Sequence, residues 1–108
     1  MSHAHSEKQK RIHEFLHQNP IGILSTVTPN GEPHGAVIYF VIDDDFTASF
    51  LTRCGTRKSD NIKHQDHVTL TVYEPESQTT AQIIGRAKEI NDNDRVNSIA
   101  SDVLRISL

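Results

Sequence analysis

Hydrophobic spacing changes character twice along this chain. Residues 6–20, SEKQKRIHEFLHQNP, carry Ile12, Phe15 and Leu16 as a narrow apolar stripe at helical spacing, so a first helix is predicted. Ser6 with Gln9 three residues on forms a capping-box pattern, and Asn19-Pro20 ends the helix. From residue 21 to about residue 90 the period falls to two. IGILSTVT (21–28) is a strand rich in β-branched residues, leading into PNGEP, where Asn30-Gly31 signals a turn. HGAVIYFVID (34–43) is almost continuously apolar, which predicts a strand buried on both faces. The DDDF segment turns the chain back into TASFLTR (47–53), with Phe46, Ala48 and Phe50 alternating with Thr47, Ser49 and Leu51.

A short helix is expected over 56–65. HVTLTVYEP then alternates most regularly, with Val68, Leu70 and Val72 set against Thr69, Thr71 and Tyr73. A long strand follows over 80–90, TAQIIGRAKEI, with a bend expected at Gly85. Beyond it, Val96, Ile99, Ala100, Val103 and Leu104 repeat at three- and four-residue spacing, predicting a last helix whose start is acidic at Asp92 and Asp94. The element order is thus α-β-β-β-α-β-β-α. Short turns between the early strands require antiparallel pairing. A mainly β domain follows, a small barrel or strongly coiled sheet with helices at its ends.

Composition narrows the function classes. The chain has 108 residues, a net charge of -3 and 35% apolar residues, enough for one domain and one core. No segment approaches the roughly 18 apolar residues of a membrane span, and the start MSHAHSEKQKR lacks the apolar stretch of a secretory signal. An acidic chain has no broad cationic face for nucleic acid. The lone cysteine, Cys54, cannot form an internal disulfide, which fits a reducing cytoplasm. The first eight residues are expected to be a disordered lead, with the domain spanning 9–108.

Against that acidic background, FLTRCGTRKSDNIKHQ (50–65) concentrates cations at one point. Thr56 suits a helix N-cap, with Arg57, Lys58 and Ser59 in the first turn. Cations there oppose the helix dipole by a few tenths of a kcal/mol each unless an anion binds. A hydroxyl, a guanidinium, an ammonium and free backbone amides converging on one spot make a phosphate site. The alternative is that both cations simply extend into water. The segment is no P-loop, since G-x-x-x-x-G-K-[ST] is absent.

The ordered succession GILSTVTPNGEPHGAVIYFVIDDD, FLTRCGTRKSDNIKHQDHVTLTVYEP and AQIIGRAKEI resembles the pyridoxamine 5'-phosphate oxidase-like, FMN-binding split-barrel superfamily over roughly residues 9–100. The resemblance implies a split β-barrel of antiparallel strands with flanking helices, holding FMN at a homodimer interface. It implies that Arg57 and Lys58, beside Thr56, grip the flavin phosphate. Leu51 and Thr52 would line the phosphate and ribityl chain. Backbone groups of Ala36, Val37, Ile38 and Tyr39 would meet the isoalloxazine ring, and Thr80 or Gln82 would face the cofactor from the partner subunit. A small organic substrate or a nicotinamide electron donor would complete an oxidoreductase. Relatives imply a deazaflavin or haem as the alternative cofactor, and a flavin-binding stress protein without turnover as the alternative role. Two departures point away from true pyridoxamine-phosphate oxidation. Ala36 stands where those oxidases have arginine, and the chain stops at Leu108 without their C-terminal substrate segment.

Other constellations are weaker. His13-Glu14-Phe15-Leu16-His17 matches H-E-x-x-H, but no third ligand is identifiable and the helix needs Ile12, Phe15 and Leu16 for packing; surface histidines are expected there. Cys54 lies near Arg53, Arg57 and Lys58, which would favour its thiolate, though an incidental loop cysteine is the simpler reading. His64 and His67 read as a polar loop. Nothing resembles a G-x-S-x-G elbow, and no catalytic side chain is assigned.

Overall fold

The computed structural model describes residues 6–52, 56–90 and 94–95. Helix α1 runs Glu7–Gln18, and strands β1 (Ile21–Val27), β2 (Pro33–Tyr39), β3 (Val41–Ile42) and β4 (Ala48–Ser49) follow. Helix α2 (Arg57–His64), β5 (His67–Glu74) and β6 (Thr79–Arg86) complete the order. The expected last helix falls outside the described residues except at Asp94 and Arg95, which are helical. Helix α1 begins inside the segment expected to be disordered, of which residues 1–5 lie outside the described residues.

The capping box sets the start of α1: Ser6 Oγ accepts from the Gln9 amide at 3.2 Å, and the Ser6 amide donates to Gln9 Oε1 at 2.8 Å. The helix ends where the Asn19 backbone and side-chain amides both donate to Phe15 C=O. In the β1–β2 turn, Gly31 takes φ 84°, a conformation that suits glycine, and donates to Thr28 C=O.

Strands β2, β1, β5 and β6 form one antiparallel sheet in that order, and β3 and β4 form a two-stranded ribbon. The predicted strand 34–43 is therefore divided. Its Phe40 lies between β2 and β3, fully buried, with its amide bonded to Pro20 C=O at 2.9 Å. Nor is it buried on both faces: Ile38 is in the core, whereas Val37 and Tyr39 are 67% and 42% exposed. The apolar run reflects two different coverings, a helix on one face and open surface on the other. The predicted strand 47–53 shrinks to Ala48–Ser49. Phe46 instead occupies the preceding turn at φ 66°, where it packs on the core and edge-on to His13 at 5.5 Å. Strand β6 stops at Arg86, and Gly85 stays in register opposite Val68.

The core lies on one side of the sheet. Leu16 of α1 meets Leu24, Ile38, Phe40, Leu70 and Val72, with Ile12, Phe15, Ile62, Ala81 and Ile83 packed around them. Gly22 has a specific role in this layer. A Cβ there would stand 2.8 Å from Thr71 C=O and 3.0 Å from Leu70 and Val72 side-chain carbons, so only glycine lets β1 and β5 approach. Gly22→Ala is expected to cost roughly 1–2 kcal/mol by overpacking, read from the urea unfolding midpoint.

Candidate functional site

Thr56 is the N-cap of α2, extended at φ -74° and ψ 159°, with its Oγ1 accepting from the Ser59 amide at 3.3 Å. Thr52 Oγ1 lies 3.0 Å from Thr56 Oγ1, so the two ends of the intervening loop meet through their hydroxyls. Arg57 and Lys58 are the first two residues of the helix, and among the described residues neither forms an ion pair. Asp60 moderates the charge of this first turn. Cys54, with Arg53 and Gly55, lies outside the described residues.

What holds this helix end in place is a bond that sequence reasoning missed. Asn61 Nδ2 donates to Thr26 Oγ1 at 3.0 Å, and the two residues are only 2% and 1% exposed. Buried amides and hydroxyls are retained where they satisfy each other, so this pair fixes α2 against β1. The signal in the sequence is slight, a polar residue beside Ile62 on the inward side of a charged helix. Thr26 pairs across the ladder with His34 of β2, whose Nδ1 is buried without a hydrogen-bond partner. The helix therefore sits at the His34 end of β2.

Along β2, Ala36–Tyr39 stand two to five residues beyond His34, about 7–17 Å at strand rise. β2 is an edge of the four-stranded sheet, leaving the backbone on its outer side without a strand partner among the described residues. Ile38 turns its side chain into the core, so only its backbone is available to a ligand. Leu51 is 41% exposed, just ahead of the helix entrance.

Thr80 and Gln82 are not brought to this place. Both lie on β6, the opposite edge, where Gln82 donates to Thr71 Oγ1 at 3.2 Å. The ladder aligns Val37 with Ile23, Ile23 with Thr71 and Thr71 with Gln82, so three strand steps of about 4.8 Å separate β2 from Gln82, about 14 Å in all. The two sets of residues thus lie on opposite edges of one sheet.

That cross-sheet row belongs to the face away from the core. Ile21, Ile23, Val37, Tyr39, Tyr73 and Ile84 all stand on it, and of the exposed large hydrophobic residues among those described only Leu51 lies elsewhere. Charge enters only at the rim, where His67 faces Arg86. Contiguous apolar surface of this kind marks a place of contact.

The histidine pair on α1 is accounted for locally. His13 and His17 stack with centroids 6.5 Å apart, and His13 Nε2 lies 3.0 Å from Asp43 C=O. Among the described residues no three metal-ligating side chains cluster. In the β5–β6 turn, hydrogen bonds from the Ser77 side chain, then the Ser77 and Glu76 amides, hold the Glu74 carboxyl below its ordinary range. No described helix is long and apolar enough to cross a membrane.

Comparison with known proteins agrees with this architecture. The family model for pyridoxamine 5'-phosphate oxidase matches residues 9–106. No curated protein matches the sequence. Among solved structures, General Stress Protein 26 from Bacillus anthracis superposes with a TM-score of 0.75 at 22% identity, over 86% of this chain and 70% of that one. An F420 reductase gives 0.65 at 27% identity, over 70% of this chain and 61% of that one. A heme-binding protein from Mycobacterium smegmatis gives 0.73 at 11% identity, over 92% of this chain and 43% of that one. The chain thus spans less than two thirds of the length of the latter two. The shared architecture is the split barrel, mainly β and antiparallel with flanking helices.

Proposed function

Because the chain belongs to the pyridoxamine 5'-phosphate oxidase family, we propose that it is a flavoprotein that binds FMN and works as a small oxidoreductase. The family binds flavins. The observation that carries the reading to this chain is the entrance of α2. Two cations without carboxylate partners among the described residues, two hydroxyls and the amides of a helix start form a donor set that fits a phosphate monoester. Thr56, Arg57 and Lys58 hold the phosphate, and Leu51 and Thr52 border the chain leading from it. The backbone of Ala36–Tyr39 lines the ring along the open edge of β2.

Bound FMN supplies hydride and single-electron transfer, while the protein supplies position, electrostatics and exclusion of water. No side chain is needed as general acid or base.

The 14 Å between β2 and Gln82 makes the homodimer part of the reading. A second copy covers the uncharged sheet face and brings Thr80 or Gln82 to the flavin. A small organic molecule, or a nicotinamide donor, is the proposed reactant. A deazaflavin is the second reading, supported by the structural likeness to an F420 reductase at 27% identity.

Titration of the purified protein with FMN tests the assignment. Stoichiometric uptake with flavin absorption in the blue is expected. A protein that takes up no FMN refutes it, and uptake of F420 or a Soret band on adding haem selects the alternative. Stopped-flow reduction of the bound flavin by NADH or NADPH then distinguishes an oxidoreductase from a passive flavin carrier.

A further inference from the structure

A groove of about 190 Å³ lies between α1 and the start of β6, lined by Lys8, Arg11, Ile12, Phe15, Thr79, Thr80 and Ala81. Its helix side is built by spacing alone: residues 8, 11, 12 and 15 follow i, i+3, i+4, i+7 and share one face of α1. Along that face the chemistry changes from cationic to apolar. Lys8 and Arg11 stand toward the helix start, and Ile12 and Phe15 continue into the packing around the core. Strand β6 adds Thr79, Thr80 and Ala81 to its wall.

Two features of the cations point to an anionic occupant. First, neither is neutralised within the described residues: the helix's own carboxylate at Glu7 pairs with Lys10 at 3.7 Å, and no ion pair reaches Lys8 or Arg11. Second, Lys8 lies in the first turn of α1, where the helix dipole disfavours a cation. Apolar surface ends in water beside them. The volume is below the roughly 300 Å³ at which drug-sized sites begin, so a whole cofactor does not fit.

We propose that this groove is a second ligand site, which takes a small amphipathic carboxylate: its charged head on Lys8 and Arg11, its hydrocarbon body along Ile12, Phe15 and Ala81. Charge complementarity selects the head, and the apolar floor selects the body over inorganic anions. The site uses α1 and β6 and shares only Thr80 with the residues of the flavin reading, so it stands whether or not that reading holds.

Octanoate is the probe, added to the 108-residue chain and followed through backbone amide NMR shifts. Saturable shifts confined to the first turns of α1 and to Thr79–Ala81 are expected, with a dissociation constant at or below about 1 mM. Acetate, which has the head without the body, should leave those amides unmoved. In the double variant Lys8→Gln/Arg11→Gln, octanoate affinity should fall at least tenfold, whereas Lys8→Arg/Arg11→Lys should retain it. Both variants change exposed helix positions, and circular dichroism confirms their fold. The proposal is overturned if octanoate produces no saturable shifts, if acetate reproduces them, or if the glutamine variant binds octanoate as the parent does. FMN uptake, measured separately, does not enter this result.

Discussion

Replacing Arg57 and Lys58 together with alanine is expected to weaken FMN binding by at least about 2 kcal/mol, roughly thirtyfold, through loss of charge-assisted bonds to the phosphate. Riboflavin, which lacks the phosphate, should bind parent and variant almost equally. The comparison separates phosphate recognition from general damage. The helix itself should not suffer, because Thr56 still caps it and the Asn61–Thr26 bond still anchors it. Removing two cations from a first turn even favours the helix by a few tenths of a kcal/mol. Isothermal titration with both ligands reads the difference. Equal FMN affinities in parent and variant would mean that the phosphate is held elsewhere.

The second large effect is predicted at the anchor. Asn61→Ala leaves the Thr26 hydroxyl buried without its partner and opens a small void, at a cost of about 2–3 kcal/mol. Urea denaturation measures it. Because α2 carries the phosphate grip, FMN affinity should fall as well, although Asn61 touches no phosphate in this reading. The double variant Thr26→Val/Asn61→Leu removes both polar partners and should recover much of the stability. A cycle in which the two single changes simply add would show that the pair is not coupled.

How far the chain could be read in advance follows from the range of the interactions involved. The Ser6–Gln9 capping box, the Asn30-Gly31 turn and the Thr56 cap are encoded within four residues of themselves, and each stands where spacing put it. The alternation in HVTLTVYE likewise reports local pleating, with Leu70 and Val72 buried and Tyr73 exposed. The segment 34–43 misleads for a physical reason. Apolar side chains on both faces of β2 look alike in sequence whether each face meets the core or another surface. Only the fold tells Ile38, inside, from Val37, outside. Phe46 lies in the DDDF turn, yet its apolar character continues the alternation of the strand after it, because a left-handed turn residue can still pack on the core.

The candidate site divides along the same line. The cations, hydroxyls and N-cap at 52–58 are neighbours in the chain, so their convergence was legible as chemistry before any geometry. That Asn61 binds Thr26 across 35 positions, and that Lys8 and Arg11 line one groove with Thr79 and Thr80, are juxtapositions of segments far apart in sequence. Nor does composition reveal that Val37 and Gln82 share one row yet lie on opposite edges of the sheet. The sequence by itself determined the two helix caps, the β1–β2 turn and the gathering of cations and hydroxyls around the start of α2, because those depend on nearest neighbours and periodicity. The tertiary structure alone decided which apolar face is left open, where α2 is pinned and how far β2 lies from Gln82, because register and strand order set those distances.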